Sequence, residues 1–259
     1  DRGVRLLVID EAHCVSEWGH SFRPSYLRVK QFVDELREAR GEPVQVVGFT
    51  ATAPKAIQAS ICKQIGIAHT VIDRGVLREN LDPSVEPILE GARDKAMLNT
   101  PTLEKLRVFV EKSNTSGIIY AGTKRKVENG AAQLSEVLPT QADSISWLHA
   151  KAPNRQKREQ DFVSGRIGVL VSTSAFGMGV DKSDIHWVAH VHAPSSVEAY
   201  AQEIGRAGRD PAIQAKAFCW SHPDDINFWK KQSKPITPSK HMMVLERLTQ
   251  TYRRNKQVV

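Results

Sequence analysis

Two neighbouring carboxylates close the first apolar run of the chain. Residues 4–9 predict a buried strand, and Asp10 and Glu11 follow it directly. Ligands of doubly wound sheets bind beyond the carboxyl ends of strands. There an Asp can hold the Mg²⁺ that neutralises nucleotide phosphates, and a Glu beside it can orient or deprotonate the attacking water. Acidic pairs also end strands by chance, so the pair alone leaves a nucleotide role open.

An aromatic and basic segment comes next. Residues 14–24 include Trp18, His20, Phe22 and Arg23, and the Gly and polar residues among them interrupt any helix or strand period. Aromatic rings and Arg on a loop can stack on unpaired bases. The alternative is that Trp18 and Phe22 only pin the loop to its domain.

Two further clusters lie in the second half of the chain. Gly177 and Gly179 would let the backbone approach a ligand closely, and Asp181 could accept from a ribose hydroxyl. An ordinary turn is the alternative. Arg206 and Arg209 are three residues apart, so on a helix they would share a face. Two guanidiniums can clamp the charge of a transferring phosphoryl group, or they can simply favour a helix C-terminus.

Basic residues also follow two of the predicted strands. Lys124, Arg125 and Lys126 come after one strand and could meet DNA phosphates, although such a run is often a solvated helix start. His149 ends another strand, where it could face DNA or be structural.

Strands and helices alternate along the chain, which predicts parallel sheets covered on both faces. We expect a truncated α/β unit at 1–78, a linker at 79–100, a fuller α/β unit at 101–221 and a helical tail at 222–259. Strands are predicted at 4–9, 44–49, 70–72, 117–120, 145–148, 169–172, 187–191 and 215–220, with helices at 54–66, 103–110, 127–138 and 197–204. Residues 73–100 are predicted to hold one last strand together with the linker.

Composition indicates the kind of partner and the redox compartment that suit the chain. Lys plus Arg is 36 and Asp plus Glu is 29, and the net charge of +7 suits a phosphate-rich partner without demanding one. The three cysteines show no pairing or metal-ligand spacing, which favours a reducing compartment. No apolar run approaches the ~18 residues of a membrane span. The chain begins at Asp1 and its first Met is Met97, so we expect a segment of a longer protein.

Residues 7–26 closely resemble the DEAH-box motif and the aromatic-rich loop of RecQ-family helicases. The resemblance continues in order, with 48–53 (GFTATA) like motif III, 117–128 (GIIYAGTKRKVE) like motif IV, 172–182 (STSAFGMGVDK) like motif V and 202–210 (QEIGRAGRD) like motif VI. It covers the chain to about residue 221, and the DEAH box with motifs V and VI is highly specific.

The resemblance implies two RecA-like parallel-sheet domains of the P-loop NTPase type, the first truncated, followed by a short helical tail. It implies ATP hydrolysis, with ATP and Mg²⁺ as cofactors, coupled to 3′-to-5′ movement along DNA and strand separation in repair and recombination. Single-stranded DNA and duplex junctions are the implied partners, with no membrane. The implied location is the cytoplasm, at the bacterial nucleoid, or the nucleus of a eukaryote.

The resemblance also implies roles for individual residues. The implied catalytic residues are Glu11, Arg206 and Arg209, of which Arg209 is the better candidate for the arginine finger. The residues implied to contact the nucleotide are Asp10 (through Mg²⁺), Gly177, Gly179, Asp181 and Gln202, and those implied to contact DNA are Trp18, His20, Phe22, Arg23, Lys124 and His149. Coupling between the two is implied for His13, Thr50 and Thr52.

Three departures from the family pattern qualify this reading. No Gly-Lys dipeptide occurs, so the phosphate-cradling P-loop is expected upstream, and this segment alone should not turn over ATP. Ser21 stands where the family usually has Asp. Residues 251–254, including Tyr252, stand where the first Cys of a zinc cluster is expected, and Tyr cannot replace a thiolate there, so we expect no zinc site.

Two other functions remain open at this stage. One is an RNA-directed DEAH-box motor, which comparison of DNA and RNA stimulation would distinguish. The other is a nucleic-acid-binding helicase remnant without turnover.

Overall fold

The structure is a computed structural model that describes residues 4–12, 28–50, 55–66, 72, 78–87, 100–174, 176, 182–195, 197–221 and 225. The chain divides into two compact units, Asp1–Val76 (unit 1) and Leu77–Val259 (unit 2). The aromatic loop at 14–24, most of the strand at 70–72, the segment 177–181 and almost all of the tail lie outside the described residues. The structural predictions for those segments stay predictions.

Unit 1 contains a parallel strand pair with helices. Strand β1 (Leu6–Ile9) pairs with β2 (Gln45–Gly48), with Leu6 opposite Gln45. Helix α1 (Val29–Arg40) precedes β2 and ends at Gly41, whose φ of 65° suits glycine. Helix α2 (Lys55–Ile65) buries Ile61 and Ile65, four residues apart, in one cluster with Ile9 and Ala12. Both strands and α2 were predicted, and α1 was not.

Unit 2 is built on a six-stranded sheet in the order β3-β8-β7-β4-β6-β5, in which every pairing is parallel. Its strands are β3 (Leu81–Pro87), β4 (Gly117–Tyr120), β5 (Ile145–Leu148), β6 (Val169–Ser172), β7 (Trp187–His190) and β8 (Ala215–Ser221). Its helices are α3 (Thr100–Ser113), α4 (Lys124–Val137), α5 (Arg155–Val163) and α6 (Val197–Ile204), with a 3-10 turn at Pro139–Ser144.

The sheet of unit 2 is covered on both faces. Ile118 and Leu170 enter one apolar cluster, whereas their neighbours Ile119 and Val171 enter the other. Successive strand residues point to opposite faces, and all four are buried, so a helix layer must lie on each side. The predicted α/β architecture with parallel sheets is therefore confirmed.

Within residues 79–100, which the sequence predicts as a linker, residues 81–87 are a strand. They form β3, which pairs with β8 from Leu81 opposite Ala215 to Pro87 opposite Ser221. Pro83 and Pro87 argue against a strand in the sequence, but β3 pairs with β8 alone. An edge strand tolerates proline because one row of its N–H groups needs no ladder partner.

No helix among the described ranges is both long and apolar enough to cross a membrane.

Candidate functional site

The acidic pair leaves the carboxyl end of β1 in an unusual backbone conformation. Asp10 is exposed and Glu11 half-buried. Glu11 has a φ of 49°, in the left-handed region that few non-glycine residues adopt. Its N–H donates to Oδ1 of Asp10 at 2.9 Å, which helps to hold this conformation. Backbone strain of this kind persists only where the surroundings fix it, and it is concentrated at functional sites.

The segment that resembles motif III lies directly against this turn. The N–H of Phe49 donates to the carbonyl of Ile9, and the N–H of Ala12 donates to the carbonyl of Phe49, both at 2.8 Å. A Cβ on Gly48 would lie 3.1 Å from Cβ of Ala12, so only glycine allows this close approach without displacement. The two predicted motifs of unit 1 thus meet at the carboxyl ends of neighbouring parallel strands, next to Thr50.

The donor set at this end of β1 suits a hard cation. Asp10 presents an exposed carboxylate, and carboxylate oxygens are ligands that Mg²⁺ prefers. Asp10 and Glu11 therefore fit the predicted metal and water roles in residue type and in position on the sheet. Across the described ranges no three His, Cys, Asp or Glu side chains cluster as a metal site.

The arginines of the motif VI segment lie on a turn and not on a helix. Gln202 is half-buried within α6, which ends at Ile204. Arg206 and Arg209 follow on a turn that reverses at Gly208, where φ is 63°. The helix ends before either arginine, as its predicted bounds of 197–204 imply, so the two side chains do not share a helix face. Both side chains are half-buried.

Four buried polar side chains lie close to the motif VI segment. Glu203 Oε2 lies 2.7 Å from Nε2 of His190, whose side chain is fully buried at the carboxyl end of β7. The His190 ring lies 5.2 Å from the rings of Tyr120 and Tyr200. Burial raises the pKa of the Tyr120 phenol, and the nearby positive charge of Arg206 opposes that rise. Sequence reasoning gave none of these four buried groups a role, although Glu203 lies inside the quoted motif.

The basic run of motif IV opens helix α4. Thr123 caps the helix, and its Oγ1 accepts from the N–H of Lys126 at 3.3 Å. Lys124 and Arg125 are exposed in the first turn, which contains no acidic residue. Cations are unfavourable beside the positive end of a helix dipole, whereas an anion bound there would be favourable. The arrangement suits a phosphate group.

His149 is turned into the protein. Only 4% of its side chain is exposed. Its Nδ1 accepts from the N–H of Lys151 at 3.2 Å, and its Nε2 lies 2.9 Å from Oε1 of Glu128 on α4. Because Nδ1 accepts a hydrogen bond, it carries no hydrogen itself. The hydrogen of the neutral ring is therefore on Nε2, which donates to Glu128. Both ring nitrogens are thus used within unit 2, and the ring joins the end of β5 to α4.

The remaining predicted site residues all lie outside the described residues. They are His13, Trp18, His20, Phe22, Arg23, Thr52, Gly177, Gly179 and Asp181.

Two family models match the chain. The DEAD/DEAH box helicase model matches residues 2–60, which contain Asp10, Glu11 and Thr50. The helicase conserved C-terminal domain model matches residues 98–211, which contain Arg206 and Arg209. The two matches fall on either side of the boundary between units 1 and 2.

The chain is similar to several named helicases. It is 36% identical over 209 residues to the probable ATP-dependent DNA helicase RecS of Bacillus subtilis, covering 80% of this chain and 39% of that protein. It is 34% identical over 249 residues to the ATP-dependent DNA helicase RecQ of Haemophilus influenzae, covering 92% of this chain and 36% of the relative. The chain thus spans well under half the length of these relatives.

Solved helicase structures share its fold. Helicase Lhr of Mycobacterium smegmatis, bound to ssDNA and AMP-PNP, matches with a TM-score of 0.67 at 24% identity, covering 96% of this chain and 31% of that one. Dbp5 of S. cerevisiae, bound to RNA and ADP BeF3, matches with a TM-score of 0.58 at 20% identity, covering 96% and 63%. These likenesses show the fold, which is of the RecA-like helicase type. The chain is thus a homologue of RecQ-family ATP-dependent DNA helicases over most of its length, and it carries the DEAD/DEAH box and helicase C-terminal domains.

Proposed function

We propose that the protein containing this chain is a RecQ-type helicase that couples ATP hydrolysis to 3′-to-5′ movement along DNA and to strand separation, in DNA repair and recombination. The observation that carries the proposal is the turn at Asp10 and Glu11. The turn is strained at Glu11 and is held by two hydrogen bonds between the β1 end and Phe49. Backbone strain at a non-glycine residue is concentrated at functional sites, and it supports a chemical task for this turn.

In this proposal the residues of unit 1 prepare the attacking water. Asp10 would hold Mg²⁺, which would neutralise phosphate charge, and Glu11 orients the water and accepts its proton. The hydrogen bond from Ala12 to the carbonyl of Phe49 links this turn to Thr50. A change at the motif III segment would therefore reach Glu11 over a short path, which supports coupling roles for Thr50, Thr52 and His13.

Unit 2 carries the residues that we propose supply positive charge in ATP hydrolysis. Arg206 and Arg209 contact the transferring phosphoryl group, with Arg209 as the finger, and Gln202 contacts the nucleotide together with Gly177, Gly179 and Asp181. The half-burial of both arginines supports this, because a partly desolvated guanidinium acts on developing charge more strongly than one in bulk water.

DNA is the proposed partner, as single strands and at duplex junctions. Trp18, His20, Phe22 and Arg23 stack on or contact bases, and Lys124 binds a backbone phosphate at the start of α4. His149, with both nitrogens used internally, positions the loop after β5 instead of contacting a phosphate itself. A DNA partner places the protein at the bacterial nucleoid in the cytoplasm, or in the nucleus of a eukaryote.

The test is the ATPase activity of the intact protein with single-stranded DNA, with RNA and with neither. We expect strong stimulation by DNA, and we expect Glu11→Gln to abolish turnover while ATP still binds. Glu38→Gln, the same change at an exposed position of α1, is the matched control and should retain full activity. Duplexes with a 3′ or a 5′ tail test the polarity, since only the 3′-tailed duplex should be unwound.

Each alternative predicts a different result in these assays. Stimulation by RNA and not by DNA would indicate an RNA-directed motor. DNA binding without ATP turnover in the intact protein would indicate a nucleic-acid-binding remnant.

A further inference from the structure

Asn80, just before β3, is hydrogen-bonded to the turn that carries the two arginines. Nδ2 of Asn80 donates to the carbonyl oxygens of Gly208 at 3.0 Å, Asp210 at 3.1 Å and Ile213 at 2.8 Å. The three partners can only accept, so the amide nitrogen must face them. An amide has two hydrogens, so at least one of them is shared between carbonyls. The backbone carbonyl of Asn80 also accepts from the N–H of Ala215 at 2.8 Å.

Arg78 adds a second hold on the same turn. Its Nη1 donates to the carbonyl of Ala207 at 2.9 Å. Burial, and after it the positive charge of Arg209, lowers the pKa of Arg78, so the two guanidiniums lie within electrostatic range.

The turn is closely packed at Gly208. A Cβ on Gly208 would lie 2.9 Å from Nδ2 of Asn80 and 3.0 Å from Cβ of Ala215, and the φ of Gly208 is 63°. The N–H of Gly208 donates to the carbonyl of Ile185 at 2.9 Å. The turn is thus fixed on one side by the end of the loop before β7, and on the other by Asn80.

We propose that Asn80, supported by Arg78, is a positioning residue for Arg206 and Arg209. Carbonyl groups beyond the end of a helix lack helical partners, and donors from elsewhere must satisfy and orient them. Here α6 ends at Ile204, so the helix itself does not fix either arginine. The side chain of Asn80 supplies the missing donors. The proposal rests on the proposed function, because it assigns the arginines to ATP hydrolysis.

The decisive variant is Asn80→Asp in the intact protein. It has the same shape, but it replaces the donor by an oxygen that faces three carbonyl oxygens. Misplacement of a reacting group by about 1 Å can cost about 10²-fold in rate, so we expect kcat to fall roughly 10- to 100-fold. KM for ATP and the affinity for single-stranded DNA should change little, because the arginines act mainly on the transition state.

A second readout does not depend on activity. Hydrogen exchange in peptides covering residues 205–213 should become about tenfold faster or more in Asn80→Asp, whereas β4 and β6 should stay protected. The matched control is Asn114→Asp, the same chemical change at an exposed residue beyond α3 with a φ of 43°. It should alter neither exchange at 205–213 nor kcat.

The outcomes separate this proposal from the proposed function. Unchanged exchange at 205–213 in Asn80→Asp, or a kcat no lower than that of the control, overturns the positioning role. An intact wild-type protein without ATPase overturns the proposed function, while the exchange experiment still decides whether Asn80 holds the turn. If Asn80→Asp does not fold, Arg78→Gln takes its place: faster exchange at 205–210 with a lower kcat supports the proposal, and wild-type behaviour overturns it.

Discussion

Glu203 and His190 form a contact in the interior of unit 2 that joins α6 to β7. The carboxylate Oε2 lies 2.7 Å from the imidazole Nε2, and His190 is fully buried. A carboxylate only accepts, so Nε2–H of His190 must be the donor. Little water reaches either group. If one of them is removed, no solvent molecule replaces it as the hydrogen-bond partner of the other. The contact anchors the helix that leads into Arg206.

The first prediction concerns this contact. Glu203→Ala should lower the free energy of unfolding by about 3 kcal/mol, since breaking a buried charged contact strands the remaining group. Glu203→Gln should cost only about 1 kcal/mol, because its amide oxygen still accepts from Nε2. Urea unfolding followed by tryptophan fluorescence measures both. Glu136→Ala, at an exposed position of α4, is the control, and a loss in Glu203→Ala no larger than in this control would contradict the prediction.

The second prediction is a loss of stability in alkali that Tyr120 and Tyr200 cause. Burial raises the pKa of both phenols above the usual value. Above about pH 10 the unfolded chain releases these protons while the folded protein retains them. The folded state then binds more protons, so the free energy of unfolding falls as the pH rises, by about 1.4 kcal/mol per pH unit for each group.

Phenylalanine at either position removes one titrating proton. Tyr120→Phe and Tyr200→Phe should therefore each make the decline above about pH 10 shallower by about 1.4 kcal/mol per pH unit, whatever their effect at neutral pH. Urea unfolding at a series of pH values gives the slope. Equal slopes in wild type and both variants would show that the phenols titrate normally.

The strands of unit 2 could be predicted closely because they are buried on both faces. Ile118 and Ile119 are both buried, so their stretch reads as a continuous apolar run between polar boundaries. The same reasoning predicted one last strand within residues 73–100 but did not locate it at β3, because Pro83 and Pro87 are compatible with a strand only at an edge that the sequence does not reveal. It also missed α5, in which Phe162 is the one buried residue, so no helical period is visible.

The candidate site was predictable where one short segment carries the chemistry. Asp10 and Glu11 follow a strand, and sheet topology places them where ligands bind. Contacts between distant segments were not predictable: the hydrogen bonds of Asn80 cross about 130 residues of chain. Glu203 and His190 are likewise brought together only by the packing of α6 on β7.

The third prediction tests the close approach of Gly48 to Ala12. In Gly48→Ala the new methyl group would lie 3.1 Å from Cβ of Ala12, whose N–H is fixed to the carbonyl of Phe49. Overpacking of this kind costs about 1–3 kcal/mol, and the displaced turn should lower kcat for ATP hydrolysis. Adding Ala12→Gly removes the clash, so the double variant should recover part of both losses relative to Gly48→Ala. Losses that simply add would show that the two methyl groups do not meet.

The fourth prediction concerns Arg209 in the intact protein. An arginine finger acts on charge that develops in the transition state, and such residues contribute about 10³–10⁵ in rate in other phosphoryl-transfer enzymes. Arg209→Ala should therefore lower kcat by about that factor while the dissociation constant for ATP changes little. Arg209→Lys should recover only a small part of the rate, because an ammonium group cannot reproduce the planar fork of a guanidinium. Single-turnover hydrolysis and equilibrium binding of a fluorescent ATP analogue separate the two quantities.

The matched control is Arg166→Ala, which should leave both quantities unchanged. Arg166 is a highly exposed arginine beyond α5 that pairs with Asp161. A preserved kcat with weakened ATP binding would show that Arg209 holds the nucleotide in its ground state and is not the finger.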